Sequence, residues 1–143
     1  MIKFSIKGVK EVAKQMERFG KEGKKEFSSI TKLSAMDIEG GAKSLAPIDL
    51  GKLRQSISAI EIDALNWKVV VYSPYGPYVE FGTGKMVQVP QELADMAIQF
   101  KGKGIREVNL PARPYLYPSF VKGRGRYLKD LEKGLEYLTK KYS

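Results

Sequence analysis

Glu80 is the residue whose setting most constrains its chemistry. It lies between Val79 and Phe81 inside Ser73-Pro74-Tyr75-Gly76-Pro77-Tyr78-Val79-Glu80-Phe81-Gly82-Thr83-Gly84, a stretch stiffened by Pro and Gly. A carboxylate partly stripped of water there needs an arginine or backbone N–H donors. Arg54 and Arg113 are the favoured partners, because each lies in a constrained stretch and guanidinium pairs bidentately. A fold-stabilising ion pair is the first reading of Glu80 and a direct partner contact the second. The other carboxylates, Asp49, Glu61 and Asp63, are too scattered to nominate a glycosidase-like pair or a Mg²⁺ site. Gly82-Thr83-Gly84-Lys85 has the look of a phosphate loop, but Val79 and Met86 stand where the Walker pattern needs its first Gly and its hydroxyl.

The chain contains no Cys and no His. That removes disulfides, thiolate nucleophiles, thiolate metal sites and the commonest general base and transition-metal ligand. Carboxylate, Lys or Tyr chemistry and Mg²⁺ held by oxygens remain, an oxygen-ligand Mg²⁺ enzyme being the remote third reading. Paired-carboxylate chemistry needs a pocket and the sequence suggests none, so no catalytic residue, metal ligand or cofactor is nominated and an enzyme is not expected. The net charge is +9 over 143 residues, made of +5 in residues 1–32, −3 in 33–100 and +7 in 101–143. Such a balance points to an anionic partner, whether nucleic acid, membrane surface or acidic protein, and says nothing about fold. Lys122, Arg124, Arg126, Lys129 and Lys133 form a basic group that could grip phosphates without sequence preference, although zinc ligands, a basic region with heptads and an RNP-like strand are all missing. The apolar runs are far too short to span a bilayer, so no membrane partner is expected. The opening Met1-Ile2-Lys3-Phe4-Ser5-Ile6-Lys7 alternates instead of forming a secretory apolar core, and folding in a cytoplasm follows as the expectation.

The elements that must position these residues read as one α+β domain over 1–143. Period-two alternation predicts a strand over 2–7. Val9, Val12, Ala13, Met16 and Phe19 predict a helix over 9–19 that Gly20 and Gly23 interrupt, and Phe27, Ile30, Ile38, Ala42 and Leu45 predict a second over 24–46, ended by Pro47. Gly40-Gly41 marks a bend or a close contact within it. Asp49 is a candidate cap for a short turn carrying Leu50, Leu53 and Arg54. Strands are expected near 55–62, with a bulge near Ala59 or a later start, and over 67–72, joined as a hairpin through Asp63-Ala64-Leu65-Asn66. Residues 73–84 read as irregular, 93–100 as a short helix, 101–104 as a mobile linker, 105–109 as an optional strand and 111–118 as extended. A long helix over 119–140 carries Tyr127, Leu128, Leu131, Leu135, Leu138 and Tyr142 as its apolar stripe. The sheet is thus small and mainly antiparallel, packed by two N-terminal helices and a long C-terminal one.

Three segments in order carry a resemblance. Ala46-Pro47-Ile48-Asp49-Leu50-Gly51-Lys52-Leu53-Arg54-Gln55-Ser56-Ile57, then Pro77-Tyr78-Val79-Glu80-Phe81-Gly82-Thr83, then Pro111-Ala112-Arg113-Pro114-Tyr115-Leu116-Tyr117-Pro118-Ser119 resemble the motifs of the gene-product-ten-like tail-component family of long-tailed bacteriophages and prophages. Leu50 stands where Thr is usual, Gly76-Pro77 where a small residue precedes the second Tyr, and Tyr115 where Phe is usual. The resemblance implies a non-enzymatic virion component of the neck, active in tail completion or head–tail joining. It implies a ring, commonly six-fold, stacked between the head-side connector and the tail terminator or tail tube, with DNA in its lumen. Asp49, Gly51, Leu53, Arg54, Tyr78, Glu80, Phe81, Gly82, Thr83, Arg113, Pro114 and Tyr115 are then the candidate joint beside a subunit interface. Tyr75, Tyr78, Phe81, Tyr115 and Tyr117 are anchors for a partner if exposed. Lys122, Arg124, Arg126 and Lys129 are the candidate electrostatic contacts, toward acidic neighbouring rings in preference to DNA. A basic, sequence-independent nucleic-acid-binding protein is the alternative from another class.

Overall fold

Val69, Val70 and Val71 are fully buried in the middle strand of a three-stranded sheet, the position in which a run of β-branched residues fits best. The computed structural model describes residues 2–6, 10–98 and 109–141. Strand β1 (Ile2–Ile6) and strand β2 (Ile57–Asp63) flank β3 (Asn66–Val71), both antiparallel to it, in the order β1-β3-β2. Val71 faces Ile2 on one side and Ile57 on the other. Asp63 and Asn66 close the β2–β3 hairpin, with the Leu65 N–H and the Asn66 amide both donating to the Asp63 carboxylate, which they hold below its usual range. The register irregularity lies between Glu61 and Asp63, not near Ala59.

Helix α1 (Lys10–Leu45) is kinked at Gly20, whose φ of 63° and ψ of −144° are open to glycine and strained for other residues. The expected interruption is therefore real, but the helical pattern resumes directly after Gly20 instead of at residue 24. Helix α5 (Leu116–Lys141) runs antiparallel along α1, since Gly41 meets Ser119, Ile38 meets Gly123 and Ile30 meets Gly134. A Cβ on Gly123 would lie 2.3 Å from Ile38 Cγ1, so this glycine sets how closely the two helices approach. Gly41 packs in the same way against Ser119, and Gly40 beside it faces open space. Between the helices the Thr31 and Tyr127 hydroxyls pair at 2.9 Å, and Thr31 donates to the Phe27 carbonyl at 2.8 Å. Phe27, Ile38, Leu116, Tyr127, Leu131 and Leu138 complete this seam, each large apolar side chain contributing about 1.5–3 kcal/mol. Leu128, read as part of the apolar stripe, is half-exposed instead.

Three shorter helices fill the connections. They are α2 (Gly51–Gln55), α3 (Gly76–Phe81) and α4 (Ala94–Ile98), with 3₁₀ turns at Gly84–Met86 and Gln91–Leu93. Helix α3 corrects the irregular reading of 73–84: Pro77 sits in its first turn, where a missing N–H costs nothing. The extended reading of 111–118 also stops short, because α5 begins at Leu116 and takes Pro118 into its own first turn. The position before α2 is Leu50, with no side-chain capping bond, so Asp49 does not cap it. The linker at 101–104, the optional strand over 105–108 and Tyr142 fall outside the described residues.

Candidate functional site

The first turn of α5 presents backbone N–H groups that have no partner within the helix. Glu80, on α3 and only 2% exposed, satisfies them. Its Oε2 accepts from Tyr115 and Leu116, each at 2.9 Å, and its Oε1 accepts from Tyr117 at 2.8 Å. The next residue, Pro118, has no N–H to satisfy. The positive end of the helix dipole adds to these charge-assisted bonds. This corrects the preference for an arginine partner: Glu80 is held by backbone donors, and neither Arg54 nor Arg113 pairs with it. Arg113 lies 3.5 Å from Asp49, both substantially exposed, while the Arg54 guanidinium donates to the Ala46 carbonyl at 3.2 Å.

A second set of bonds ties the segment after α3 to the chain before α5. The Arg113 N–H donates to the Val79 carbonyl at 2.8 Å. Thr83 donates its N–H to the Leu110 carbonyl at 2.9 Å and accepts the Leu110 N–H on Oγ1 at 2.9 Å. Gly82 sits where they converge, with φ of 80°. A Cβ there would lie 2.7 Å from Met86 O, 2.8 Å from Ala112 N and 2.9 Å from Leu110 O, so both conformation and space demand glycine. Tyr115 is fully buried beneath, its hydroxyl donating to the Gly76 carbonyl at 3.1 Å. Burial first, and the Glu80 charge second, push its phenol far above the ordinary range.

The structure thus brings Tyr115, Glu80, Phe81, Gly82, Thr83 and Arg113 together with Pro114, and links Asp49 to them through Arg113. Leu53 is buried in the core and Gly51 opens α2 on the surface. Phe81 and Tyr115 are interior and so are not available to a partner as anchors; Tyr78 is half-buried, and Tyr75 is exposed. Arg124 leaves the basic group as a free charge, because it donates to Glu92 at 2.9 Å and lies over the Phe120 ring. Glu92 also accepts the Tyr117 hydroxyl at 2.6 Å, and the Tyr117 and Arg124 bonds hold its carboxyl below the usual range. That pairing of residues 91–93 with α5 escaped the sequence reading, which had no signal for it beyond a Glu at the start of a helix.

Among the described residues no three acidic groups gather as metal ligands, and no helix is long and apolar enough to cross a membrane. Comparison with curated proteins and with solved structures gave no match. A family model described as "Bacteriophage HK97-gp10, putative tail-component" matches residues 10–82. That match takes in α1, the β2–β3 hairpin and α3 with Glu80 and Gly82, just over half of the chain, and the chain belongs to this HK97-gp10-like family of phage tail components.

Proposed function

We propose that this protein is a structural tail-completion component that folds in the host cytoplasm as one domain and assembles as a six-membered ring in the neck of the virion. The ring joins the head-side connector to the tail terminator or tail tube and surrounds the DNA passing through. One observation carries the reading: a joint tied internally through Glu80, Thr83 and Tyr115 is bordered by large apolar side chains left in water. Met86 and Leu110 flank Gly82, Val87 follows, and Ile48, 86% exposed, stands beside the Asp49 that pairs with Arg113. Preorganised loops lose little entropy on docking, and grouped exposed apolar residues suit a protein interface. A ring subunit needs two different faces that meet around a rotation axis, and this border supplies one of them. Membership in a tail-component family supports the virion setting.

Mass measurement of the purified protein, with and without the neighbouring neck proteins, tests the reading together with imaging of particles that lack it. A ring-sized species should form, and should be lost in Ile48→Asp and Leu110→Asp, whose exposed positions spare the fold. Particles lacking the protein should show separate heads and tails. A chain that stays monomeric under every condition, or joined particles without it, sinks the reading.

A further inference from the structure

Helix α5 carries Lys122, Arg126, Lys129 and Lys133 at successive spacings of four, three and four, which sets them on one side of the helix over about 16 Å. All four are exposed, and none forms an ion pair among the described residues. Asp130 and Glu132, the acids nearest in sequence, pair with none of them. Like charges at these spacings destabilise a helix, and among the described residues no ion pair to any of the four offsets the cost. Arg124, close by in sequence, turns away to Glu92 and Phe120, so the line is sorted from the rest of the basic group. Gly125, exposed between Arg124 and Arg126, has open space around it, so no internal packing explains its missing side chain, in contrast to Gly123 and Gly134.

We propose that this line is a contact surface for the phosphate backbone of duplex DNA, separate from the surface that joins subunits. Lysine is depleted from the centres of protein interfaces, which favour aromatic and apolar residues, and no member of the line is apolar. Evenly spaced cations on a straight rod suit a regular row of phosphates, which take most protein–DNA hydrogen bonds without reading sequence. Single strands are gripped by stacking on aromatic rings; the line holds none, and Tyr137, the exposed ring one turn beyond Lys133, has the Lys141 ammonium over its face. The bare surface at Gly125 lets the backbone of the helix come close to the duplex.

Fluorescence anisotropy with a labelled duplex of arbitrary sequence tests this, using the full chain. Four phosphate contacts predict a log–log salt slope near −3.6, or about a hundredfold loss between roughly 50 and 200 mM salt. The quadruple variant Lys122→Gln, Arg126→Gln, Lys129→Gln, Lys133→Gln should lose at least about tenfold in affinity at the lower salt and most of its slope. Its thermal midpoint should stay the same or rise, since only repulsion is removed. A matched variant, Lys21→Gln, Lys24→Gln, Lys25→Gln, Lys32→Gln, makes the same charge change on exposed positions of α1 and should keep most of the affinity. Equal losses in the two variants would show general charge attraction without a surface and overturn the proposal. So would unchanged DNA binding by the α5 variant accompanied by loss of self-association, which would assign the line to a neighbouring subunit. Ring formation is read separately by mass, so failure of either proposal is distinguishable from failure of the other.

Discussion

A carboxylate holding three N–H groups of one helix end leaves few tolerable substitutions. Glu80→Gln keeps the shape but brings an amide NH₂ against an N–H donor and removes the charge; it should cost about 1–3 kcal/mol in chemical denaturation, and Glu80→Ala more. Arg54→Gln or Arg113→Gln should add no coupling to either Glu80 variant in a double-mutant cycle, because neither side chain pairs with Glu80. Glycines separate by their surroundings. Gly82→Ala meets three backbone atoms within 2.9 Å at a φ of 80° and should lose more than about 2 kcal/mol. Gly40→Ala, with nothing near and helical neighbours on both sides, should gain up to about 1 kcal/mol. Thermal unfolding of the two variants side by side checks the contrast.

Among the elements, the seam of α1 with α5 is set by glycines. Gly123→Ala should lose about 1–3 kcal/mol through its clash with Ile38, and Ile38→Ala, which removes both the Cγ1 and the Cδ1 that the new methyl meets, should make the two losses less than additive in a double-mutant cycle. The Glu92 carboxylate, held below its ordinary value near 4.5 by Tyr117 and Arg124, fastens residues 91–93 to α5. A folded value below the unfolded one makes this a contribution present above about pH 4.5 and lost as pH falls through the lowered value. The protection of the Leu93 amide, measured against its intrinsic exchange rate at each pH, should therefore fall as pH drops below about 4.5, and Tyr117→Phe with Arg124→Gln should remove that step. Much of this architecture was legible beforehand. Alternation marked β1, the run Trp67-Lys68-Val69-Val70-Val71-Tyr72 marked β3, helical spacing marked α1 and α5, and Asp63-Ala64-Leu65-Asn66 marked the hairpin. Helix α3 was missed because Gly76-Pro77 reads as a breaker when it is in fact a first turn. The hold on Glu80 was only half legible: that it needed partners followed from Val79 and Phe81, but backbone donors carry no side-chain signature, so arginine was favoured wrongly. Gly123 could not be told from Gly125 by spacing, since only the neighbouring helix distinguishes them.

For the molecule as a whole, a net charge of +9 with no His keeps its value across neutral pH, and no Cys responds to reductants. Self-association and anion affinity should thus be flat between about pH 6 and 8 and indifferent to reducing agent, which light scattering across a buffer series checks. The seam between α1 and α5 bears on how the protein is made. The apolar partners of Phe27, Ile30 and Ile38 are translated some ninety residues later, near the opposite end of the chain. At about 5–20 residues per second the ribosome leaves that first helix unsheltered for seconds, so a nascent or prematurely terminated polypeptide should be the species that chaperones capture and proteases clear.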